Sequence, residues 1–251
     1  MAVAVGRLVA IHRWPVKSLG GERVPAARLD GRGLGGDRTQ ALLADGPDGG
    51  RRLTARQLPA MLSWHAAYPS APAAALDPAD PPPPVLTAPD GRAWRWHDPG
   101  LPAALAADLG RPLRLHRDPA GHQDRPRTVL VTLEVTRAAL ESELAPPGPA
   151  APVALDVRRF RPNLHLDLDV PAFAEEAWEG GRLVIGGRVE LELLDPCVRC
   201  VVPTRDPDTT RRWPELLRHL TARHGQRFGI NARVVAGGVV EEGATAVVVP
   251  A

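Results

Sequence analysis

The sequence predicts a mainly β protein of the α+β kind with a barrel-like architecture. Three observations carry that prediction: many short runs of β-branched or alternating residues, few stretches with helical spacing, and frequent glycine turns between the runs. A chain of 251 residues is long enough for one large domain or two modest ones with a sizeable core.

Taken in order, Gly6 to His12 (GRLVAIH) is a short β-branched run, and Glu22 to Leu29 alternates around Val24 before the turn-rich GRGLGGDR at 31–38. Residues 39–44 (TQALLA) make another strand, closed by a DGPDGG turn at 45–50. Leu53 to Leu62 reads as a strand end leading into a connection at Pro59. The prolines between Tyr68 and Pro89 remove backbone donors and favour extended loop, and DGRAWRWHD at 90–98 reads as an exposed hairpin strand. Leu101 to Leu109 has helical spacing and stops at Gly110. Residues 128–133 (TVLVTL) form a buried strand, after which Thr136 is expected to N-cap a helix through RAALESEL. A second Pro-rich connection covers 145–155. The last third is strand-rich, at 163–170, 181–194 and 232–249, and the last two carry Gly-Gly turns expected to close hairpins. One Leu-rich helix, from Trp213 to about His224, interrupts them and ends at Gly225. No internal repeat is present.

Composition removes several classes of function. Lys and Arg total 31 against 29 Asp and Glu, a formal net charge of +2, so no global field points to nucleic acid or a membrane surface. The opening MAVAVGRLVAIHRWPVKS has no signal-peptide pattern. No apolar run reaches the roughly eighteen residues a spanning helix needs. Cys197 and Cys200 are the two cysteines, which argues against a disulfide scaffold, and the expected location is the cytoplasm.

Three polar islands interrupt otherwise apolar text: WPVKSLGGE at 14–22 with GLGGDR at 33–38 and TARQ at 54–57; RRFRPNLHLD at 158–167; and DPCVRCVVPTRDPDT at 195–209. A CxxC pair has several readings. Structural zinc needs four ligands, and no second CxxC or HxxxH accompanies this pair. A thioredoxin-like site needs the pair at a helix N-terminus, whereas Pro196 and Pro203 flank it here. One thiolate as a soft ligand to a metal or an electrophilic sulfur remains, favoured by the intervening Arg199. Two inert buried thiols are the alternative.

These islands, in this order, resemble the MOSC-domain family (molybdenum cofactor sulfurase C-terminal domain) with its N-terminal β-barrel partner, and in particular the mitochondrial amidoxime-reducing component and its short bacterial relatives. WPVKSLGGE is similar to the family's Y-P-V-K-S opening, and GLGGDR with TARQLPAML to its next two signatures. FRPN at 160–163, AEEAWEG at 174–180, PCVRC followed by DPDT, and FGINARVV at 228–235 with GVVEEG complete the series. Each motif is weak by itself; six in the right order over nearly the whole chain are specific.

The resemblance implies two β-rich domains, an N-terminal β-barrel over 1–100 and a MOSC β-barrel with a few helices over 101–251, clasping a molybdenum cofactor (molybdopterin). It implies that Lys17, Ser18 and Arg38 contact the pterin and phosphate, that Arg161 and Asn163 hold them from the other domain, and that Cys200 ligates molybdenum. Cys200 and Asp206 are the catalytic candidates, Asp206 lying in the DPDT turn. Phosphate and pterin buried in protein need donors in number, which Arg, Lys and Ser supply. Four positions depart from the family pattern: Leu133 before Glu134, Arg125 and Arg127 in the preceding loop, and Pro203-Thr204 where two threonines are usual. They are expected at or near the cofactor's mouth.

The implied activity is reduction of N-oxygenated small molecules by oxygen-atom transfer, with electrons from an external donor protein. A sulfur-carrier module bearing a persulfide on Cys197 or Cys200, and a cofactor-free biosynthetic protein on the same scaffold, are the alternatives.

Overall fold

The computed structural model describes residues 3–45, 50–68, 76–118, 123–145 and 154–251. In chain order the strands of the first half are β1 (Ala4–Arg13), β2 (Glu22–Val24), β3 (Ala26–Asp30), β4 (Gly33–Leu34), β5 (Gln40–Ala44), β6 (His65–Ala67), β7 (Val85–Thr87) and β8 (Ala93–Arg95). Helix α1 (Leu101–Leu109), β9 (Leu113–Arg117), β10 (Val129–Leu133), α2 (Glu134–Glu143) and β11 (Leu164–Leu168) follow. The last part holds β12 (Arg182–Ile185), β13 (Val189–Val198), α3 (Pro214–His224), β14 (Arg227–Ala236), β15 (Gly238–Glu241) and β16 (Thr245–Val249).

The centre is a closed barrel, so the mainly β expectation holds. Strands run in the order β11, β10, β14, β13, β12, β16, β1, and β1 pairs back onto β11 through Gly6↔Leu168 to Ile11↔Leu164. Closure removes the open edges that a free sheet would expose. The chain is crowded at that seam: a Cβ on Gly6 would sit 2.0 Å from the Asp167 carbonyl oxygen, so only glycine fits there. Alternating residues of each strand point inward, and Leu8, Ile11, Val131, Leu133, Leu164, Leu166, Leu191 and Ile230 fill the interior with almost no exposure.

A second core gathers Val16, Leu19, Leu42, Met61, Trp64 and Leu86 with Leu101, Leu105, Leu109 and Leu113. The three-stranded sheet β6–β7–β8 and the pair β5–β9 frame it. The cores divide the chain differently from a cut at residue 100. Strands β1 and β3 lend Leu8, Ile11, Ala27 and Leu29 to the barrel core, while α1 and β9 pack with the N-terminal sheets. A third, smaller cluster lies between α2 and α3, where Phe160 and Phe228 stack with ring centroids 3.7 Å apart among Leu140, Leu216 and Leu220.

Local expectations meet mixed outcomes. Helices α1 and α3 end where expected, at Gly110 and Gly225, each in the left-handed conformation that glycine adopts freely. The Gly186-Gly187 turn joins β12 to β13 as a hairpin, with Ile185 opposite Val189. The second Gly-Gly does not: β15 leaves β14 and pairs with β3, because that placement buries Val240. Thr136 is not the N-cap of α2. The helix begins two residues earlier, and the Thr136 hydroxyl donates instead to Glu175 Oε2 (2.8 Å) and accepts from the Phe173 N–H (2.9 Å). Between Leu53 and Leu62 there is a turn and a 3-10 segment, Pro59–Ser63, rather than a strand end. The heart of the 45–50 turn lies outside the described residues, as do parts of both Pro-rich connections. Among the described residues no helix is long and apolar enough to cross a membrane.

Candidate functional site

Each polar island becomes one wall of a single pocket. In the first, Val16 to Leu19 forms a tight turn, closed by Leu19 N–H to the Val16 carbonyl (3.2 Å), with Ser18 at φ +70°. Lys17 is the chain's sole lysine, and its N–H donates to the Gln40 carbonyl (2.9 Å), which fixes the turn beside β5. The GLGGDR turn delivers Arg38. Gly36 has φ +78°, and a Cβ there would press on the Tyr68 ring at 2.8 Å, so the turn needs glycine. Asp37 then accepts the Trp14 N–H (2.8 Å) and holds the Arg38 guanidinium, while the Arg38 N–H donates to the Trp14 carbonyl (2.8 Å).

The second island supplies Arg161 and Asn163. A 3-10 turn, Val157–Phe160, is N-capped by Asp156 and ends on Arg161 at φ +55°. Three of the implied cofactor residues, Ser18, Arg38 and Arg161, therefore hold a left-handed backbone that L-residues adopt at a cost. Such strain persists only where the surroundings enforce it, and it concentrates at functional sites. Asn163 is different. Its Oδ1 accepts from the Leu130 N–H (3.0 Å) and its Nδ2 donates to the His12 carbonyl (3.3 Å), tying β1, β10 and β11 together. Arg38 Nη1 reaches the same Oδ1 at 3.4 Å, and Nη2 donates to the Arg161 carbonyl (3.1 Å). Asn163 lines the pocket but spends its polar atoms on positioning.

The third island brings the thiols. Strand β13 continues through Pro196 to Val198, and its register against β14 slips on both sides of Pro196. Such irregularities re-aim side chains, and Cys197 and Cys200 both line the pocket, each partly buried. Arg199 is buried between them, with Nη1 donating to Cys197 Sγ (2.8 Å) and Nη2 to the Phe160 carbonyl (2.6 Å).

The pocket holds about 310 Å³. Its walls carry six basic side chains, Lys17, Arg38, Arg56, Arg125, Arg161 and Arg199, against one acid, Asp124. Six cations facing one cavity favour an anionic occupant. Arg161 states the need most sharply. Its guanidinium lies over the Trp14 ring, 4.2 Å from the centroid, and its buried Nη2 has no hydrogen-bond partner among the described residues. Surface area makes Arg161 half-buried because one side opens on the cavity, yet protein surrounds it. Desolvation, with the nearby Arg38 charge, pulls its pKa down to about 9. Burial also lowers the Lys17 pKa, against the opposing pull of Asp124, whose Oδ1 lies 2.6 Å from Nζ.

Of the implied site residues, Lys17, Ser18, Arg38, Arg161, Asn163 and Cys200 meet at this pocket, and Asp206 does not. As a correction to its listing among catalytic candidates, the Asp206 carboxylate is consumed locally. Oδ2 pairs with Arg159 (2.8 Å), and Oδ1 accepts the Thr209 N–H and hydroxyl (both 2.9 Å), so it shapes the DPDT turn. Of the four departures, Arg125 lines the pocket, bridged to Asp195 (2.6 Å), whereas Leu133 is a barrel-core residue and Arg127 and Pro203 are not on the lining. Sequence reasoning missed Asp124 and Trp14 as site residues, and read Arg199 only as a charge favouring a thiolate. Arg56, in the TARQ island, carried a visible signal.

Comparison with known proteins agrees with this architecture. Residues 118–247 match the profile of the MOSC domain, and residues 5–82 that of the MOSC N-terminal beta barrel domain. No curated protein sequence matches the chain. Among solved structures, the YuaD protein from Bacillus subtilis is similar in fold over 100% of this chain and 98% of its own, at 11% identity and a TM-score of 0.50. YiiM from Geobacillus stearothermophilus shares 17% identity over 54% of this chain and 67% of its own, at a TM-score of 0.37. With the MOSC profile spanning just over half its length, and with the barrel and motif islands described above, the chain belongs to the MOSC-domain family.

Proposed function

We propose that the pocket holds a pterin-based molybdenum cofactor and that the protein is a reductase of N-hydroxylated small molecules. The observation that carries this is the partnerless Arg161 Nη2 in a wall of six cations, beside two thiols. That donor set fits the group. A phosphate takes guanidinium and ammonium donors, and a soft metal accepts a thiolate. When bound, the group supplies two-electron oxygen-atom-transfer chemistry.

The chain's own residues bind and orient. Arg161 and Arg38 receive the phosphate end, Lys17 and Ser18 the adjoining polar edge, and Cys200 offers its thiolate to the metal. Arg199 engages Cys197, leaving Cys200 as the ligand. Trp14 backs Arg161 and Phe160 backs Arg199 with apolar rings that keep water from their faces. Turnover draws electrons from a separate donor protein.

The test is metal and pterin content of protein from a molybdenum-replete host, then turnover of an N-hydroxylated substrate with an artificial reductant. We expect about one molybdenum per chain, no turnover for Cys200→Ala, and measurable turnover for Cys197→Ala. Absence of both molybdenum and pterin overturns the reading in favour of a cofactor-free protein. A labile sulfur on either thiol of a molybdenum-free protein replaces it with sulfur carriage.

A further inference from the structure

Outside the barrel pocket, two imidazoles and a carboxylate converge where two helices end. Glu143 is the last residue of α2, and His219 and His224 lie in the second half of α3. Glu143 Oε2 is 2.6 Å from His219 Nε2 and 2.7 Å from His224 Nε2, and all three ligand atoms lie within 4.8 Å of one another. The His224 ring is fixed by stacking on Phe173, centroids 3.7 Å apart and planes 13° from parallel.

We propose that Glu143, His219 and His224 form a binding site for a divalent transition metal of the zinc class. Two imidazole nitrogens and one carboxylate oxygen suit zinc, nickel or copper rather than calcium or magnesium, which take oxygen ligands. With both rings carrying their proton on Nδ1, each Nε2 lone pair faces the metal. The fourth position is then open to water. Metal–ligand bonds of about 2.0–2.2 Å place neighbouring ligand atoms roughly 3.3 Å apart in a tetrahedral site. Opening the two contacts by about 0.6–0.7 Å reaches that spacing, and the Glu143 side chain, about a third exposed, has room to swing. The burial pattern lets an ion in: both histidines are partly buried, and the carboxylate faces solvent. Ligands on different helices make the ion a clip between α2 and α3, across the cluster of Leu140, Leu216 and Leu220. This site shares no residue with the basic pocket and does not rest on its occupant.

The experiment is calorimetric titration of tag-free, chelator-stripped full-length protein with zinc, followed by visible absorbance after cobalt(II) substitution. We expect one saturable equivalent, a tetrahedral cobalt band without sulfur-to-metal charge transfer, and a higher melting temperature with zinc. His219→Ala and His224→Ala should each weaken binding by at least about tenfold. The Cys197→Ala/Cys200→Ala double variant should bind as the parent does. If a histidine variant fails to fold, Glu143→Gln gives the same test with helix packing kept. No saturable zinc overturns the proposal. So does binding that survives the histidine variants or shows the sulfur band, which would assign the ion to the thiols.

Discussion

Arg161 lies on the face of Trp14, 4.2 Å from the ring centroid, while the Trp14 indole N–H donates to the carbonyl of Pro162, the next residue, at 2.8 Å. One aromatic side chain, at the residue after β1, thus grips both the guanidinium and the backbone that carries it. The cation–π contact substitutes only partly for lost hydration, and the unmade bond at Nη2 keeps the site tuned for an anion.

Arg161 should therefore cost stability when the pocket lacks an anion. A base whose folded pKa falls from its ordinary value to about 9 disfavours its charged form in the fold, and that penalty is fully present at neutral pH. Inorganic phosphate should raise the melting temperature of the parent protein and leave Arg161→Leu nearly unchanged. Loss of one charge-assisted bond predicts an affinity at least about tenfold weaker. Equal shifts in both proteins would show that phosphate binds elsewhere.

Asp124 competes with that anion. Its carboxylate holds Lys17 at 2.6 Å and stands 3.9 Å from Arg38 Nε. Lys17 is largely buried but the carboxylate is about half exposed, so solvent screens the pair toward the strength of an exposed bridge. Asp124→Asn should tighten phosphate binding about two- to fivefold. Because Lys17 is the sole lysine, amine-reactive labelling reports it directly, the α-amino group aside. Phosphate should protect Lys17 at lower concentration in Asp124→Asn than in the parent.

Asn163 should prove a stability residue. Asn163→Ala leaves the Leu130 N–H and the His12 carbonyl without partners inside the protein. Unsatisfied buried groups cost about 1–3 kcal/mol each, so urea unfolding should show a loss of roughly 2–4 kcal/mol. A change in phosphate affinity at unchanged stability would contradict this assignment.

Two buried groups shape stability against pH in opposite directions. Burial pushes the Glu175 carboxyl up to about 7, despite the Thr136 hydroxyl bond. The folded state then holds more protons than the unfolded between pH 4.5 and 7, so this contribution falls as pH rises through that window. Glu175→Gln should flatten the decline. Burial, helped by the His165 and Arg23 charges, pulls His12 down to about 4. Here the unfolded state binds the extra proton, and stability falls as pH drops from 6.5 to 4. His12→Gln should remove that limb. Urea midpoints at pH 4.5, 6 and 8 for both variants check the signs.

What was legible in the sequence was local chemistry. Glycine at 110 and 225 stops helices because the left-handed residue there needs no Cβ, and alternating apolar runs specify strands whatever their neighbours are. The polar islands also announced themselves, because charged text between core strands has to serve something other than packing, and six of the seven residues singled out there do line one pocket. Distance in sequence hid the rest. Lys17 meets Asp124 from 107 residues away, and Trp14 meets Arg161 at the end of the seam where β1 pairs with β11, contacts that no local spacing encodes. The same limit explains Asp206 and the second Gly-Gly. A carboxylate in a polar turn reads alike whether it faces a cavity or an arginine, and a turn between two strands reads as a hairpin until a third strand, β3, offers the better burial. Pairing partners, buried charge and strain at Arg161 are properties of the closed barrel, since only closure brings those walls together and excludes water from between them.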